Sequence, residues 1–328
     1  MKIAVLGAGA WGTAISLSLA RHHRVALWAR NSRQCAQMRA ARANEKYLPG
    51  HPFPPQLEVQ SAIEVALDGA RLALIAVTTA ALRETLLSVK AADSRAPIIW
   101  LCKGLEPGQA KLPHQVCAEI FGEAIDAGSL SGPSFAEEVA RGLPTAVTLA
   151  AARGEFARET ARLLHSPAFR VYSSDDLIGV EVAGAAKNVM AIAAGICDGL
   201  GYGHNARAAL ITRGLAEITR LGVALGGRAE TFMGLAGAGD LILTCTGDLS
   251  RNRRVGLKLA QGEPLAAILA ELGHVAEGVN TAPEIERMAN TLRIDMPITG
   301  AVCRVLAGRA PARAAADELL QREPKAEH

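Results

Sequence analysis

The sequence predicts an α/β domain with a doubly wound parallel sheet, followed by an all-helical domain. In the first half of the chain, short apolar runs alternate with helix-like stretches, a pattern typical of a parallel sheet covered on both faces. Beyond residue 180 the strand signal fades, and long Ala-, Leu- and Arg-rich stretches show helical spacing of apolar residues. We therefore predict two domains, residues 1–179 and 180–328.

The individual elements of the first domain follow from its apolar runs. The first strand is predicted at residues 2–6, and a small-residue helix is expected from Thr13 to Arg21. Proline does not fit a helix or a central strand, so the segment YLPGHPFPPQL should be a surface loop. Asp175 or Asp176 is expected to cap the first helix of the second domain. Further strands are predicted at residues 24–30, 71–77, 97–104, 145–150 and 169–174.

Composition excludes several classes of protein. Of 328 residues, 35 are basic and 32 are acidic, which leaves a formal charge of +3 and no concentrated basic face for nucleic acid. The 6 cysteines form no C-x-x-C pair and no cluster at metal spacing, which indicates free thiols in a reducing compartment and no bound metal. No long uninterrupted apolar run is present, so we expect a cytoplasmic protein without stable membrane insertion.

The motif GAGAWG at residues 7–12 predicts a Rossmann-type dinucleotide site. Gly7, Gly9 and Gly12 follow a strand and open a helix, so they permit a tight turn, and the helix N-terminus faces a pyrophosphate. The alternative is a glycine-rich turn in some other α/β protein. Trp11 within the motif either lies over the cofactor or only packs against the domain.

Arg30 bears on the choice of cofactor. A site that prefers NAD places Asp or Glu at the end of the second strand, where it binds the ribose 2′-hydroxyl. Here the predicted strand ends in Arg30, whose guanidinium can pair with a 2′-phosphate. We therefore expect NADPH to be accepted. The alternative is a solvated arginine at a strand end.

Lys187 and Asn188 lie in the otherwise apolar stretch AGAAKNVMAIAAG. An ammonium buried without partners is unfavourable, so Lys187 either reaches water or faces polar acceptors. If DLILT begins a helix, Asp240 and Thr244 share one face of it. Just beyond them, the segment SRNRR offers donors for a small phosphate group at Ser250, Arg251 and Asn252. A solvated charged face, or a nucleic-acid patch without aromatic residues, is the alternative.

Six blocks together resemble the NAD(P)-dependent glycerol-3-phosphate dehydrogenases of the bacterial type. They occur in order through nearly the whole chain: GAGAWGTA, CKGLE, LSGPSFAEEVARGLPTAV, VAGAAKNVMAIAAGICDGLGYGHNARAALITRG, GAGDLILTCTGDLSRNRRVG and VAEGVNTA. One departure is Ala10, which stands where the glycine loop of this family often has serine, so a hydroxyl contact to phosphate would be lost while the backbone N–H remains.

The resemblance implies a role for each matching residue. Lys187 would accept the proton when the alcohol is oxidised and donate it when the ketone is reduced, and Lys103 would contact both substrate and cofactor. The candidate catalytic residues are thus Lys187, Lys103, Asp240 and Thr244. The substrate set comprises Lys103, Gly132, Ser134, Lys187, Asn188, Asp240, Ser250, Arg251 and Asn252. The cofactor set comprises Gly7, Gly9, Ala10, Trp11, Gly12, Arg30, Lys103, Ala136, Arg251, Val275 and Glu277.

The implied reaction is the reduction of dihydroxyacetone phosphate, a phosphorylated triose, to sn-glycerol 3-phosphate. NADP(H), NAD(H) or both would serve as cofactor, and the product would supply glycerophospholipid synthesis. The resemblance further implies a second domain like the C-terminal domain of 6-phosphogluconate dehydrogenase, and a homodimer. The chemistry fits the residues, because negative charge that develops on a carbonyl oxygen needs a proton donor and nearby cations.

Two rival functions remain open from sequence. A hydroxy-acid or sugar-acid dehydrogenase has the same architecture, but such families place an asparagine one helical turn after the lysine, whereas Lys187 and Asn188 are adjacent. A non-catalytic nucleotide sensor is the other rival, since fold does not fix function.

Overall fold

The computed structural model describes residues 1–122, 125–273 and 276–321 of the chain. By its internal contacts the chain divides into two compact units. The first unit consists of Met1–Glu106 and Lys111–Glu181. The second unit consists of Pro107–Ala110 together with the chain from Val182 onward.

The first unit is built on a sheet in the strand order β10-β9-β8-β7-β6-β1-β2-β5. Strands β3 and β4 form a separate antiparallel pair. The strands are β1 (Lys2–Leu6), β2 (Arg24–Trp28), β3 (Ala43–Asn44), β4 (Leu48–Pro52), β5 (Leu57–Gln60), β6 (Leu72–Ile75), β7 (Ile98–Trp100), β8 (Ala127–Ser131), β9 (Thr145–Ala151) and β10 (Phe169–Ser174).

Helices connect these strands and cover the sheet, as the alternating sequence pattern predicts. In the first unit they are α1 (Ala10–Leu19), α2 (Ser32–Ala41), α3 (Ile63–Leu67), α4 (Thr79–Ala91), α5 (Pro113–Phe121), α6 (Ala136–Arg141) and α7 (Gly154–Leu164). The predicted fold class, a Rossmann-like α/β domain followed by a helical one, is confirmed. One pair of neighbours in the sheet departs from the prediction, because β9 runs antiparallel to β8. The connection between these two strands contains only the 6-residue α6, which is less than the crossover helix of a usual parallel pair.

The central strands of the sheet form the core of the first unit. Ile3, Val5, Leu72 and Leu74, on the neighbouring strands β1 and β6, are completely buried. Strands covered on both faces bury apolar residues continuously rather than alternately, which is why the run KIAVL reads as unbroken hydrophobicity. The sheet thereby supplies a rigid support for the loops at its edges.

Several predicted boundaries were wrong. Helix α1 begins at Ala10 rather than Thr13, so the last residues of the glycine motif are helical. Strand β2 ends at Trp28, which leaves Arg30 beyond the strand. The proline-rich segment is not only loop, because it contains β4. That strand pairs only with the short β3, and such an edge position tolerates proline because no central ladder is interrupted.

The second unit is helical, as predicted. Helix α8 (Leu177–Gly199) runs into it from the first unit, and Asp176 caps this helix by accepting a hydrogen bond from the backbone N–H of Gly179 over 2.9 Å. The following helices are α9 (Gly203–Ala224), α10 (Ala229–Phe232), α11 (Asp240–Thr246), α12 (Arg251–Ala260), α13 (Leu265–Leu272), α14 (Glu277–Leu292), α15 (Pro297–Leu306) and α16 (Ala312–Leu320).

Helix α8 is long and apolar enough to cross a membrane by length and composition alone. However, 94% of its most apolar window is buried inside the protein, as in the core helix of a globular unit. The six cysteines are all buried, and none of them forms a disulfide.

The glycine run before α11 has a helical conformation. Residues Leu235–Gly239 form a π-helical turn, and a Cβ atom on Gly237 would lie 2.1 Å from the carbonyl oxygen of Phe232. Glycine is therefore needed here because two backbone segments approach closely. The turn leads directly into α11, where Asp240 is the first residue.

Candidate active site

The glycine loop between β1 and α1 owes its shape to two glycines. Gly7 has a φ of +123°, and a Cβ atom on it would lie 2.4 Å from the carbonyl oxygen of Ala76. A Cβ atom on Gly12 would lie 1.9 Å from the carbonyl oxygen of Gly7. Any larger residue would push the first turn of α1 away from the sheet. These two glycines serve the fold of the loop.

Gly9 has a different environment. No described atom lies within 4 Å of a Cβ atom placed on it, so the space beside its backbone is open. It is the N-cap residue of α1, and among the described residues no side chain caps this helix. The first backbone N–H groups of α1 are thus available to an anion, and the partial positive charge of the helix N-terminus favours one. The loop fits the diphosphate of a dinucleotide.

Asn44 and Gln34 also shape this loop, and sequence analysis missed both. Asn44 is 1% exposed, and its amide donates to the carbonyl oxygen of Ala8 over 3.0 Å and to the hydroxyl of Thr13 over 2.8 Å. The amide of Gln34 donates to the same carbonyl over 3.0 Å. An asparagine next to a proline-rich segment gives no local signal of such contacts, since its partners lie far away in the chain.

Trp11 and Arg30 lie on the same unit. Trp11 packs against the apolar core, and its buried indole nitrogen has no hydrogen-bond partner among the described residues. The side chain of Arg30 is 78% exposed and pairs with Glu84 over 3.4 Å. Exposed pairs of this kind are weak, so Arg30 can exchange Glu84 for a phosphate.

Lys103, Gly132 and Ser134 converge on one carbonyl group. The Nζ atom of Lys103 donates to the carbonyl oxygen of Gly132 over 2.9 Å, and the hydroxyl of Ser134 donates to the same oxygen over 2.8 Å. Gly132 adopts a φ of +134°, which favours glycine. Ala136 begins α6 nearby in sequence and packs against the core of the first unit. The fold thus brings Lys103 into contact with the segment SGPSFA, as the predicted site requires.

Lys187 contacts both residues predicted to share a face of α11. Its Nζ atom donates to Oδ1 of Asp240 and, over 2.8 Å, to the hydroxyl of Thr244. The side chains of Lys187 and Asp240 are only 8% and 1% exposed. The buried ammonium is therefore held by a carboxylate and a hydroxyl, and the alternative of a lysine that reaches bulk water is wrong.

Asn188 and Asn252 bind each other. The amide nitrogen of Asn252 donates to Oδ1 of Asn188 over 2.9 Å, and Oδ1 of Asn252 accepts from the backbone N–H of Gly278 over 3.0 Å. Both asparagines are buried. This pair ties the helix of Lys187 to the first turn of α12 and to the start of α14, so half of the hydrogen-bonding capacity of the Asn252 side chain serves the structure.

Ser250 and Arg251 stand at the beginning of α12. Ser250 is the N-cap residue, and its Oγ atom accepts from the backbone N–H of Arg253 over 3.2 Å, which leaves its hydroxyl proton for an acceptor. Arg251 is exposed at the first helical position. Partial desolvation lowers the pKa of its guanidinium, and the nearby carboxylate of Glu277 raises it. Desolvation is the larger influence, so the pKa of this guanidinium lies below its usual value.

Glu277 begins α14, where the helix N-terminus favours its negative charge. Val275, which sequence analysis assigns to the cofactor, lies outside the described residues. Among those that are described, no group of three or more His, Cys, Asp or Glu side chains could hold a metal ion. The groups available for binding and catalysis are thus a dinucleotide loop, amine and guanidinium cations, and the buried Lys187 paired with the carboxylate of Asp240.

A dinucleotide loop on one unit and a buried lysine on a helical second unit define the class of nicotinamide-nucleotide-dependent dehydrogenases. Comparisons with known families and proteins narrow this class. The family model described as NAD-dependent glycerol-3-phosphate dehydrogenase N-terminus matches residues 2–157, and the one described as the C-terminus of the same enzyme matches residues 176–317. The chain belongs to the glycerol-3-phosphate dehydrogenase family of NAD(P)-dependent oxidoreductases.

Individual relatives agree with this assignment over the whole length of the chain. Glycerol-3-phosphate dehydrogenase (NAD(P)+) of Nitrosospira multiformis is 58% identical, with 100% of this chain and 99% of that protein covered. The protein of the same name from Dechloromonas aromatica is 56% identical with the same coverage. A crystal structure of glycerol-3-phosphate dehydrogenase from Coxiella burnetii has a TM-score of 0.94 at 44% identity and covers 98% of this chain and 99% of its own.

Proposed function

We propose that this chain catalyses the NAD(P)H-dependent, reversible reduction of dihydroxyacetone phosphate to sn-glycerol 3-phosphate. The observation that carries the proposal is the buried hydrogen-bonded group of Lys187, Asp240 and Thr244. A lysine ammonium held in a fixed direction is a suitable proton donor to a carbonyl oxygen. Membership of the family supplies the substrate class.

Lys187 acts as the general acid in ketone reduction and as the general base in the reverse direction. When bound, the reduced nicotinamide supplies a hydride to the carbonyl carbon. Negative charge then develops on the carbonyl oxygen, and Lys187 transfers a proton to it from Nζ. Asp240 and Thr244 keep the ammonium pointed in one direction. Sequence resemblance adds Lys103 to the catalytic set, as a second cation that can stabilise the developing charge.

The phosphate of the substrate is assigned to the first turn of α12. Arg251 offers an exposed guanidinium there, Ser250 offers a hydroxyl proton, and Asn252 retains one amide hydrogen beyond its bond to Asn188. Sequence resemblance adds Lys103, Gly132 and Ser134 to the substrate set, and these three residues contact one another. A phosphate bound away from the reacting carbon holds the ketone in register, which lowers the entropic part of the barrier.

The cofactor is NADP(H), NAD(H) or both, held by the glycine loop. Gly9 and the first amides of α1, including that of Ala10, suit the diphosphate, and Trp11 provides an indole donor. Arg30 is assigned to the 2′-phosphate of NADP(H). Sequence resemblance adds Ala136, Arg251, Val275 and Glu277 to this set.

The proposal is tested by following NADPH absorbance with three substrates. Dihydroxyacetone phosphate should be turned over far faster than unphosphorylated dihydroxyacetone, because only the former engages the donors of α12. Turnover of a 2-oxo acid alone would instead favour a hydroxy-acid dehydrogenase, and no turnover of any substrate would favour a nucleotide sensor.

We further propose that the product supplies glycerophospholipid synthesis, that the enzyme works in the cytoplasm and that it assembles as a homodimer. Six buried free thiols suit a reducing compartment. Light scattering of the purified protein measures the oligomeric state directly.

A further inference from the structure

Asp198 is a partly buried acceptor that the proposed reaction does not use. It lies near the end of α8, the helix that also contains Lys187. Its side chain is 11% exposed and accepts hydrogen bonds from two arginines. Arg207 donates to both carboxylate oxygens over 3.1 and 3.0 Å. Arg253 donates to Oδ2 from Nε over 2.9 Å and lies 2.8 Å from it through a second guanidinium nitrogen.

Arg253 connects Asp198 to the first turn of α12. It follows Arg251 and Asn252 directly in the chain, and its backbone N–H donates to the Oγ atom of the N-cap residue Ser250. Its side chain is 12% exposed and also pairs with Asp248, which is 97% exposed. Arg253 therefore ties the turn that holds the phosphate donors to a carboxylate on the helix of the proton donor.

The two helices touch backbone to backbone. A Cβ atom on Gly195 would lie 2.0 Å from the carbonyl oxygen of Arg253, and one on Gly256 would lie 2.0 Å from that of Ile192. Glycine surfaces lack the ridges and grooves by which larger side chains fix one helix along another. Directional contacts therefore help to set the position of α12 along α8, and the Asp198–Arg253 pair supplies one in addition to the Asn188–Asn252 hydrogen bond.

We propose that Asp198 is a positioning residue for the substrate phosphate. Asp198 holds Arg253, and Arg253 in turn holds the Ser250–Asn252 turn, at a fixed place on α8. The phosphate and the carbonyl group of one substrate can then reach Arg251 and Lys187 at the same time. This inference rests on the proposed function. A carboxylate is required because its two oxygens face several guanidinium N–H groups, and arginine donates to it in a planar fork.

The test is the variant Asp198→Asn in the full-length enzyme. With its oxygen at the Oδ2 position, the amide would still accept from Arg253, but its nitrogen would face Arg207 and the negative charge that holds both guanidinium groups would be lost. The hold on the turn of α12 should therefore weaken while Lys187, Asp240 and Thr244 remain. We expect the KM for dihydroxyacetone phosphate to rise about tenfold, the effect of losing one charged hydrogen bond. The value of kcat should change much less. Inhibition by inorganic phosphate should weaken by a similar factor.

Two readouts separate positioning from general damage. The KM for NADPH and the kcat/KM for unphosphorylated dihydroxyacetone should stay at the level of the unmodified enzyme. Asp126→Asn is the matched control, since Asp126 also pairs with an arginine, Arg153, but in the first unit. It should leave all of these constants unchanged.

Arg253→Lys provides a second variant that keeps the charge but cannot form the fork, and it should raise the same KM. A normal KM in Arg253→Lys, or equal losses with the phosphorylated and unphosphorylated substrates in Asp198→Asn, would overturn the inference. If the unmodified enzyme does not reduce dihydroxyacetone phosphate, the proposed function itself fails. The two failures are therefore distinguishable.

Discussion

The Nζ atom of Lys187 lies 2.8 Å from the hydroxyl oxygen of Thr244. That hydroxyl donates its proton to the backbone carbonyl of Asp240 over 2.6 Å, so its lone pairs are left to accept from the ammonium. Thr244 therefore has one orientation, and it fixes the direction of Lys187 together with the carboxylate of Asp240. The spacing of four residues between Asp240 and Thr244 thus places both acceptors on the helical face that contacts Lys187.

Thr244→Val is expected to lower kcat about tenfold, since it removes one hydrogen bond to a charged group. The KM for NADPH should not change. Thr246→Val is the matched control: Thr246 lies on the same helix and makes the same bond to a carbonyl one turn earlier, over 2.7 Å, but is exposed. Steady-state kinetics of the two variants check the prediction, which fails if both have the same kcat.

Lys187→Ala is expected to lower kcat by about 10² to 10⁴, the usual contribution of a general acid. NADPH binding, measured by fluorescence titration, should remain. The variant leaves Asp240 buried without its lysine partner, which destabilises a protein by about 3 to 5 kcal/mol.

A double variant, Lys187→Met with Asp240→Asn, separates these effects because it buries no uncompensated charge. It should recover stability in thermal unfolding but not turnover. Recovery of turnover along with stability would return Lys187 to a structural role.

Arg30→Asp is expected to shift cofactor preference from NADPH towards NADH. The carboxylate repels the 2′-phosphate and can accept a hydrogen bond from the ribose hydroxyl. The measurement is the ratio of kcat/KM for the two cofactors. Glu84→Gln should shift this ratio the other way, because it removes the carboxylate that pairs with Arg30. An unchanged ratio in both variants would make Arg30 a solvated surface residue.

Gly9→Ala and Gly12→Ala should affect different properties: Gly12→Ala should lower stability, and Gly9→Ala should weaken NADPH binding. A methyl group on Gly12 meets the backbone of Gly7, so we expect a loss of about 1 to 3 kcal/mol in the free energy of unfolding. A methyl group on Gly9 enters open space, so stability should be unchanged while NADPH binds more weakly. Thermal unfolding and a binding titration distinguish the two, and equal cofactor affinity in Gly9→Ala and the unmodified enzyme would exclude close approach of the diphosphate at this residue.

Glu217 predicts a pH dependence of stability. It is 2% exposed and accepts from the backbone N–H of Ile298 over 2.7 Å, but desolvation raises its pKa from 4.5 to about 7. Between these two values the unfolded chain loses a proton that the folded protein keeps. Stability from this group is thus fully present below pH 4.5 and is lost as pH rises through about 7.

The total change is about 3 kcal/mol, from the free energy equivalent of the pKa shift. Glu217→Gln should flatten the slope of unfolding free energy against pH in that range, measured by urea unfolding. Glu230→Gln, at an exposed carboxylate in the first turn of α10, is the control and should keep the slope. An equal slope in Glu217→Gln and the unmodified protein contradicts the prediction.

Much of the fold follows from the sequence because its signals are local. Buried parallel strands appear as unbroken apolar runs, and helices as apolar periodicity, so KIAVL and the first turn of α11 were predicted correctly. The boundaries were less accurate. Helix α1 begins earlier than predicted, because Trp11 and Gly12 of the glycine motif are already helical in the folded unit. Strand β4 forms within a proline-rich segment because β3 is available to pair with it.

The sequence by itself determined the order of the elements, the glycine loop, and the presence of Lys187, Asp240 and Thr244 in chemically sensible positions. The tertiary structure decided which of these side chains touch and which distant residues support them: Asn44 at the glycine loop, Glu84 beside Arg30, and Asp198 beside Arg253. The physical reason is the distance along the chain over which each kind of interaction acts. Periodicity and turn chemistry act over a few residues, whereas the partners of a buried polar group are fixed only when remote segments pack together.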